Sequence, residues 1–418
     1  MIFDSKNALF TGAQILGLAA LTLGQPMLAA DTGDAQDGGN AVNTEGKLSR
    51  WVDLDAFNFA ARYRSIFDCD GVHNYDQGQQ RSLIQGKFKF DKDGKYSIGF
   101  RLSSGHYFDW AYADFMGGGT NEAVQAAIPR LASPDDRAAA IAAGPNAVNY
   151  PSGGWSILPR QLYFNAKPID ALEFQYGSLG FNRGDGSEIT TYDEDGYVAG
   201  GRLMIRKPDA LYFDEISVTY GSVGYLLTPN FFERVQGLEH FNYHQFLVRK
   251  RLTHWLDVST DYTWDIANTM REAAYVKTKP AKVVDSVRVE AYQRLNSINL
   301  GDDSYPSGSG YAVTASKSFA KKVSIDAGYA DIDYNYDVYS NNGNNAIWGF
   351  SLNGDQYGMG KRPFVRTNIK ITPYLSLFGF YTHLIDFNYG NDGYVWNQTA
   401  LNAGIQIDFK SLLQLDRH

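Results

Sequence analysis

The sequence predicts an all-β fold: a closed antiparallel transmembrane β-barrel of about fourteen strands, or sixteen if Asn268–Gly310 holds a further pair. Three observations carry this expectation. From Phe57 to Phe409 the chain repeats segments of about ten residues in which apolar and polar side chains alternate, the period of a strand with two unlike faces. The connections between these segments are alternately short and long. Mean hydropathy is -0.34, and the only long apolar stretch lies between Ala8 and Ala30, as expected when each crossing is a strand of about 9–11 residues with a polar inner face.

Taken in chain order, Lys6, the apolar run Ala8–Leu23 and the small residues Ala29 and Ala30 read as an export signal over residues 1–30. Residues 31–50 read as a polar periplasmic segment, 51–409 as the barrel and 410–418 as a C-terminal tail. Cys69 is the single cysteine and lies far from the signal, which excludes an intrachain disulfide and a lipid-modified cysteine at the cleavage site. The net charge of -8 argues against a nucleic-acid partner.

Strands are expected near 57–67, 80–90, 95–104, 160–167, 171–181, 197–206, 213–223, 242–251, 255–266, 310–319, 323–333, 363–371, 374–385 and 399–409. The short connections Asp91–Gly94, Pro168–Asp170, Lys207–Tyr212, Leu252–His254, Ala320–Lys322 and Thr372–Pro373 are assigned as periplasmic turns. The longer stretches rich in Gly, Asp and Asn become extracellular loops. Within the longest connection, residues 105–159, Ser133, Pro134, Asp135, Asp136 and the closing Gly144 punctuate a short helix behind the aromatic cluster Tyr107, Phe108, Trp110, Tyr112 and Phe115. This is the candidate constriction loop, the alternative being an extracellular cap.

Charge fixes which face looks inward, because an Arg or Lys in lipid at mid-bilayer costs about 2–4 kcal/mol. In Leu401–Phe409 the residues Leu401, Ala403, Ile405, Ile407 and Phe409 then face lipid, and Asn402, Gly404, Gln406 and Asp408 face the lumen. Applied along the chain, this rule gives the pore-lining basic residues Arg62, Arg64, Arg81, Lys87, Lys89, Arg101, Arg202, Arg366 and Lys370. Lys95 and Arg206 point the same way. The pore-lining acids are Glu215, Asp257, Asp261, Asp265 and Asp326. With about fourteen strands the basic second strand stands opposite the acidic ninth, and a field crosses the lumen. The competing reading is a polar interior whose charges merely pair with each other.

No catalytic or metal motif emerges. His73, His106, His240, His244, His254, His383 and His418 sit in no Ser/His/Asp or His/Glu pattern, and no cofactor motif is present. The loop carrying Asp185, Glu188, Asp193, Glu194 and Asp195 fails the EF-hand spacing and reads as a solvated acidic extracellular loop.

The signal, the strand pattern and the terminal strand ending in Phe409 resemble bacterial outer-membrane porins over nearly the whole mature chain. A fainter similarity to carbohydrate-selective and alginate-export barrels rests on Leu172–Leu179, Gly184–Gly186 and Tyr197–Arg202; Gly177-Ser178-Leu179 lacks the Gly-Arg-Gln usual there. Asp31–Arg50 lacks the Asn-Pro-Ala hatch motif of fatty-acid transporters. The resemblance implies a non-enzymatic, cofactor-free channel in the outer membrane of a Gram-negative cell, passing small hydrophilic solutes such as ions or sugars. It also implies contact with membrane lipid, recognition of the last strand by the barrel-assembly machinery, and compatibility with a homo-oligomer. The alternatives are an outer-membrane barrel enzyme of lipid-hydrolase or protease type, and a plugged structural or adhesive barrel.

Overall fold

Alternation along each strand becomes closure once the strand edges find partners. A computed structural model describes residues 51–67, 73–104, 111–113, 157–190, 197–206, 212–222, 241, 243–264, 268–278, 283–295, 298–300, 303–305, 308–332, 360–383, 385 and 399–415. The export signal, residues 31–50, the 133–144 helix and most of the 105–159 connection lie outside these.

The strands are β1 (Val52–Phe67), β2 (His73–Lys89), β3 (Tyr96–Ser104), β4 (Ala111–Ala113), β5 (Ile157–Ile169), β6 (Leu172–Gly180), β7 (Tyr197–Ile205), β8 (Glu215–Ser222), β9 (Tyr243–Thr253), β10 (Leu256–Trp264), β11 (Asn268–Lys277), β12 (Ser286–Arg294), β13 (Ile298–Leu300), β14 (Asp303–Tyr305), β15 (Ser309–Phe319), β16 (Val323–Ile332), β17 (Gly360–Lys370), β18 (Leu375–Thr382) and β19 (Thr399–Asp408). A 17-stranded sheet contains all but β13 and β14, which form a separate hairpin. The three-residue β4 continues the β3 edge of β2, so sixteen antiparallel strands form the wall. The ring closes where β1 pairs with β2 on one side and β19 on the other.

The count therefore settles at sixteen, through β11 and β12. β12 shows the alternation already visible at Val287, Val289 and Ala291. In β11 the pattern is obscured, because Ala273 and Ala274 are adjacent and Glu272 shares the outward face with Thr260 and Ala291. In a ring of sixteen, strands eight places apart are opposed, so β10 stands opposite β1 and β11 opposite β2.

Local chemistry explains the tight turns. The Asp91 carboxylate accepts the backbone N–H groups of Asp93, Lys95 and Tyr96 at 2.7–3.0 Å, closing the β2–β3 turn around Gly94, whose φ is 67°. At the β15–β16 turn, Ala320 and Lys321 take φ of 48° and 57°, the left-handed pair that a tight hairpin needs. After the last strand, Asp408 caps a short helix, α1 (Phe409–Leu415), with its carboxylate on the Ser411 amide; Phe409 rests on Phe57 at 5.0 Å between ring centroids.

Register assigns the two faces. On the outside, Phe174 pairs with Leu203, Leu203 with Val218, Val218 with Phe246, and Phe246 with Tyr262, all exposed, which makes a continuous apolar belt across β6–β10. Leu377, Tyr381, Leu401 and Ile405 extend the same character across β18 and β19. A belt of this extent suits hydrocarbon rather than water.

Candidate functional site

The register turns Arg62 and Arg64 inward, opposite Gly404 and Asn402 of β19; on β2, Arg81 shares its rung with Ala60, and Lys87 with Asp53. Arg101 stands opposite Gln85 and Gln161. Lys89, Arg202, Arg366 and Lys370 also lie on inward rows. Among the acids, Glu215, Asp257, Asp261 and Asp326 face the lumen, and Asp265 lies outside the described residues. Tyr107, Trp110 and Phe115 do too; Tyr112 is placed only by its backbone, opposite Gln79.

The inward acids are not a bare wall. Arg206 pairs with both Glu173 and Glu215, the latter at 2.7 Å. Asp257 is held between Arg251 and Lys277, each at 2.9 Å. Asp261 meets Arg271 at 2.9 Å, with both side chains only 2% exposed. Asp326 meets Arg366 at 2.7 Å. Each described acid read as one side of a transverse field, Glu215, Asp257, Asp261 and Asp326, is thus neutralised by a basic residue near it, because antiparallel register sets inward residues of adjoining strands side by side.

Much of that pairing serves a segment no strand pattern reveals. The connection after β6, residues 181–190, runs inside the barrel, which corrects the expectation that Asp185 and Glu188 belong to a solvated extracellular loop. It passes first along β8–β10. Asn182 donates to the Ser217 hydroxyl at 2.7 Å, its carbonyl accepts from Gln245 at 2.9 Å, and the Asp185 carbonyl accepts from the Ser259 hydroxyl at 3.1 Å. Gly184 lies so close to β10 that an added Cβ would sit 2.0 Å from the Ser259 Oγ, and Gly186 has φ 79°.

The tip is fixed further round, on β11, β12 and β17. The fully buried Glu290 carboxylate accepts the backbone N–H groups of Glu188, Ile189 and Thr190 at 2.8–2.9 Å, and the Thr190 hydroxyl at 2.9 Å. Arg271 Nε donates to the Thr190 carbonyl at 2.8 Å. Glu188 accepts from Arg288 and from Arg366, the latter at 2.6 Å. Burial alone would raise its carboxyl, but the guanidinium groups of Arg366 and Arg288 outweigh it and hold the pKa at about 2. Between these polar anchors Ile189 enters an apolar socket on the inner face of β12–β18, formed by Tyr292, Ala312, Ala330, Ile332, Phe364 and Phe380.

Within this short segment, the apolar Ile189 directly after Glu188 and the two glycines Gly184 and Gly186 are the only local hints of an inward course. Glu290, the principal anchor, lies 100 to 102 residues away and carries no local signature. Of the histidines, His244 faces outward on β9, stacked between Tyr220 and Trp264 with ring centroids 4.4 and 4.7 Å away.

No protein-family model matches the chain, and no curated protein sequence matches it. Among solved structures the chain is similar to Salmonella typhi OmpF in complex with daunomycin, at 13% identity over 87% of this chain and 99% of that one, with a TM-score of 0.49. It is also similar to a triple mutant of the Rhodopseudomonas blastica porin, at 9% identity over 86% of this chain and 100% of that one, with a TM-score of 0.45. The barrel itself stands on the chain's own strand pairing, independently of these likenesses.

Proposed function

We propose that this chain is a passive, non-enzymatic channel for small hydrophilic solutes in a bacterial outer membrane, reached through the export signal at residues 1–30. The observation that carries the reading is the inward segment 181–190. It is fastened along β8–β17, while the inner face of β1–β3 keeps the basic row from Arg64 to Lys89. A lumen narrowed from one side by a fixed strap, with charged groups across from it, is built to admit solutes by size and charge. The apolar belt supports residence in lipid, and a closed barrel leaves no unpaired edge in hydrocarbon. Phe409, expected to end the last strand, instead opens α1 directly after β19, where it is the candidate recognition point for barrel assembly, and homo-oligomers remain compatible with the outer belt. Purified, folded protein in planar bilayers tests the reading: stable unitary conductance steps are expected, and their absence from protein with heat-modifiable migration on gels would refute it.

A further inference from the structure

The short-turn end of β15–β17 carries three lysines that the wall itself does not use. Lys321 sits in the β15–β16 turn with φ 57°, beside Ala320 at 48°. Asparagine and glycine are the residues that favour such a left-handed pair, and here a lysine holds one of the two places. Lys322 directly precedes β16, and its carbonyl accepts the Lys370 amide at 2.7 Å, so these two lysines are cross-strand neighbours on one row. Cβ atoms of such neighbours lie about 4.5–5.5 Å apart, and like charges set opposite each other repel. All three residues are exposed.

The acids at this end are engaged elsewhere. Asp285 accepts from Lys317 at 3.1 Å and from the Ser318 amide at 2.7 Å, Asp326 meets Arg366, and Asp408 caps α1. Among the described residues, the side chains of Lys321, Lys322 and Lys370 have no hydrogen-bond or ionic partner. Directly beside them the outer belt reaches its edge in Phe319, Ile369 and Ile371, each exposed.

Resting on the membrane placement proposed above but not on solute passage, we propose that this end of β15–β17 binds an anionic phospholipid of the periplasmic leaflet. Lys321, Lys322 and Lys370 hold the headgroup phosphate, and Phe319, Ile369 and Ile371 lie against the acyl chains. A lysine is a compact charge with three donors on a flexible stem, so three of them can close round the oxygens of one phosphate. Lys322 and Lys370 start from the inward row, but they stand at its last rung, and their four-carbon stems carry the ammonium groups past the strand ends to the headgroup layer. A bound phosphate relieves the repulsion between them. The apolar edge beside them makes a lipid, rather than a soluble anion, the occupant that fits.

The test is the association of spin-labelled phosphatidylglycerol and phosphatidylcholine with the full-length protein in phosphatidylcholine vesicles, read by electron paramagnetic resonance. A several-fold preference for phosphatidylglycerol is expected at about 0.1 M salt, fading near 1 M as the Debye length falls to about 3 Å. Lys321→Gln, Lys322→Gln and Lys370→Gln together should abolish the preference, and the three Lys→Arg replacements together should keep it. Equal association of both lipids with the parent, or a preference that the Gln variant retains, would overturn this inference while leaving barrel and conductance intact. Loss of the preference in millimolar inorganic phosphate at constant ionic strength would overturn it in favour of a soluble anion. Lysine-dependent binding of polyglutamate by a parent without lipid preference would overturn it in favour of an acidic protein. Failure of the folded protein to insert into vesicles would overturn both this inference and the membrane placement.

Discussion

Replacing Glu290 by Gln probes how the inward segment is held. The carboxylate offers Oε2 to the amides of Glu188 and Thr190 and to the Thr190 hydroxyl, and Oε1 to the amide of Ile189. A Gln amide has one acceptor. With its oxygen in the place of Oε2, three bonds survive without full charge, and its NH2 group meets the Ile189 N–H donor to donor. Hydrogen bonds to a charged group contribute about 1.5–3 kcal/mol each, so losing one and weakening the rest should free the tip by about 2–4 kcal/mol. That corresponds to roughly 30- to 700-fold more frequent local opening. Hydrogen exchange of the Glu188, Ile189 and Thr190 amides in a lipid or detergent-supported barrel reads this directly; amides in the β16–β17 ladder report any global loss. Protection of the three tip amides equal to the parent's, with the ladder also unchanged, would refute the anchoring role of Glu290.

Three other outcomes follow from the same geometry. Because the Glu188 carboxyl is held at about 2, below its ordinary 4.5, its contribution to the strap is complete above about pH 4.5 and lost as pH falls through about 2. Tip-amide protection, after correction for the intrinsic pH dependence of exchange, should therefore stay flat from neutral pH to about 4.5 and fall only below it. Ile189→Ala empties part of the socket beside Phe364 and Phe380 and should loosen the tip by about 2–5 kcal/mol without lowering the melting temperature of the barrel, as scanning calorimetry with tip-amide exchange would record. Leu203→Arg sets a charge in the outer belt between Phe174 and Val218 and should destabilise the barrel by about 2–4 kcal/mol in denaturant titrations from lipid vesicles.

Period two made the faces legible. Leu401 and Ile405 outside, Asn402 inside, and the inward turn of Arg62, Arg81, Arg101 and Arg366 all follow from the cost of charge in lipid, a property of each strand alone. β11 was hard to read for the same reason in reverse, since Glu272 breaks the rule that the outward row is apolar. The inward course of 181–190 was not legible, because it depends on Glu290, Arg288 and Arg366 meeting one turn of chain from strands far away in sequence. Nor does composition tell a free carboxylate from a paired one. Asp257 and Asp261 looked like a wall until register set them beside Arg251, Lys277 and Arg271.

That register gives the inward acids of β10–β16 a structural task. Burying Asp261 and Arg271 at 2% exposure costs desolvation on both, which a good pair only about offsets, so these contacts add little net stability. What they fix is position. Arg271 holds Asp261 with one nitrogen and the Thr190 carbonyl with another, and Arg366 ties Asp326 to Glu188 in the same way, so each pair carries a wall coordinate over to the strap. The carboxylates of β10–β16 thereby set the width of the passage and cease to be available to a passing cation. The bases of β1–β3 stand on strands that the strap's described contacts do not reach.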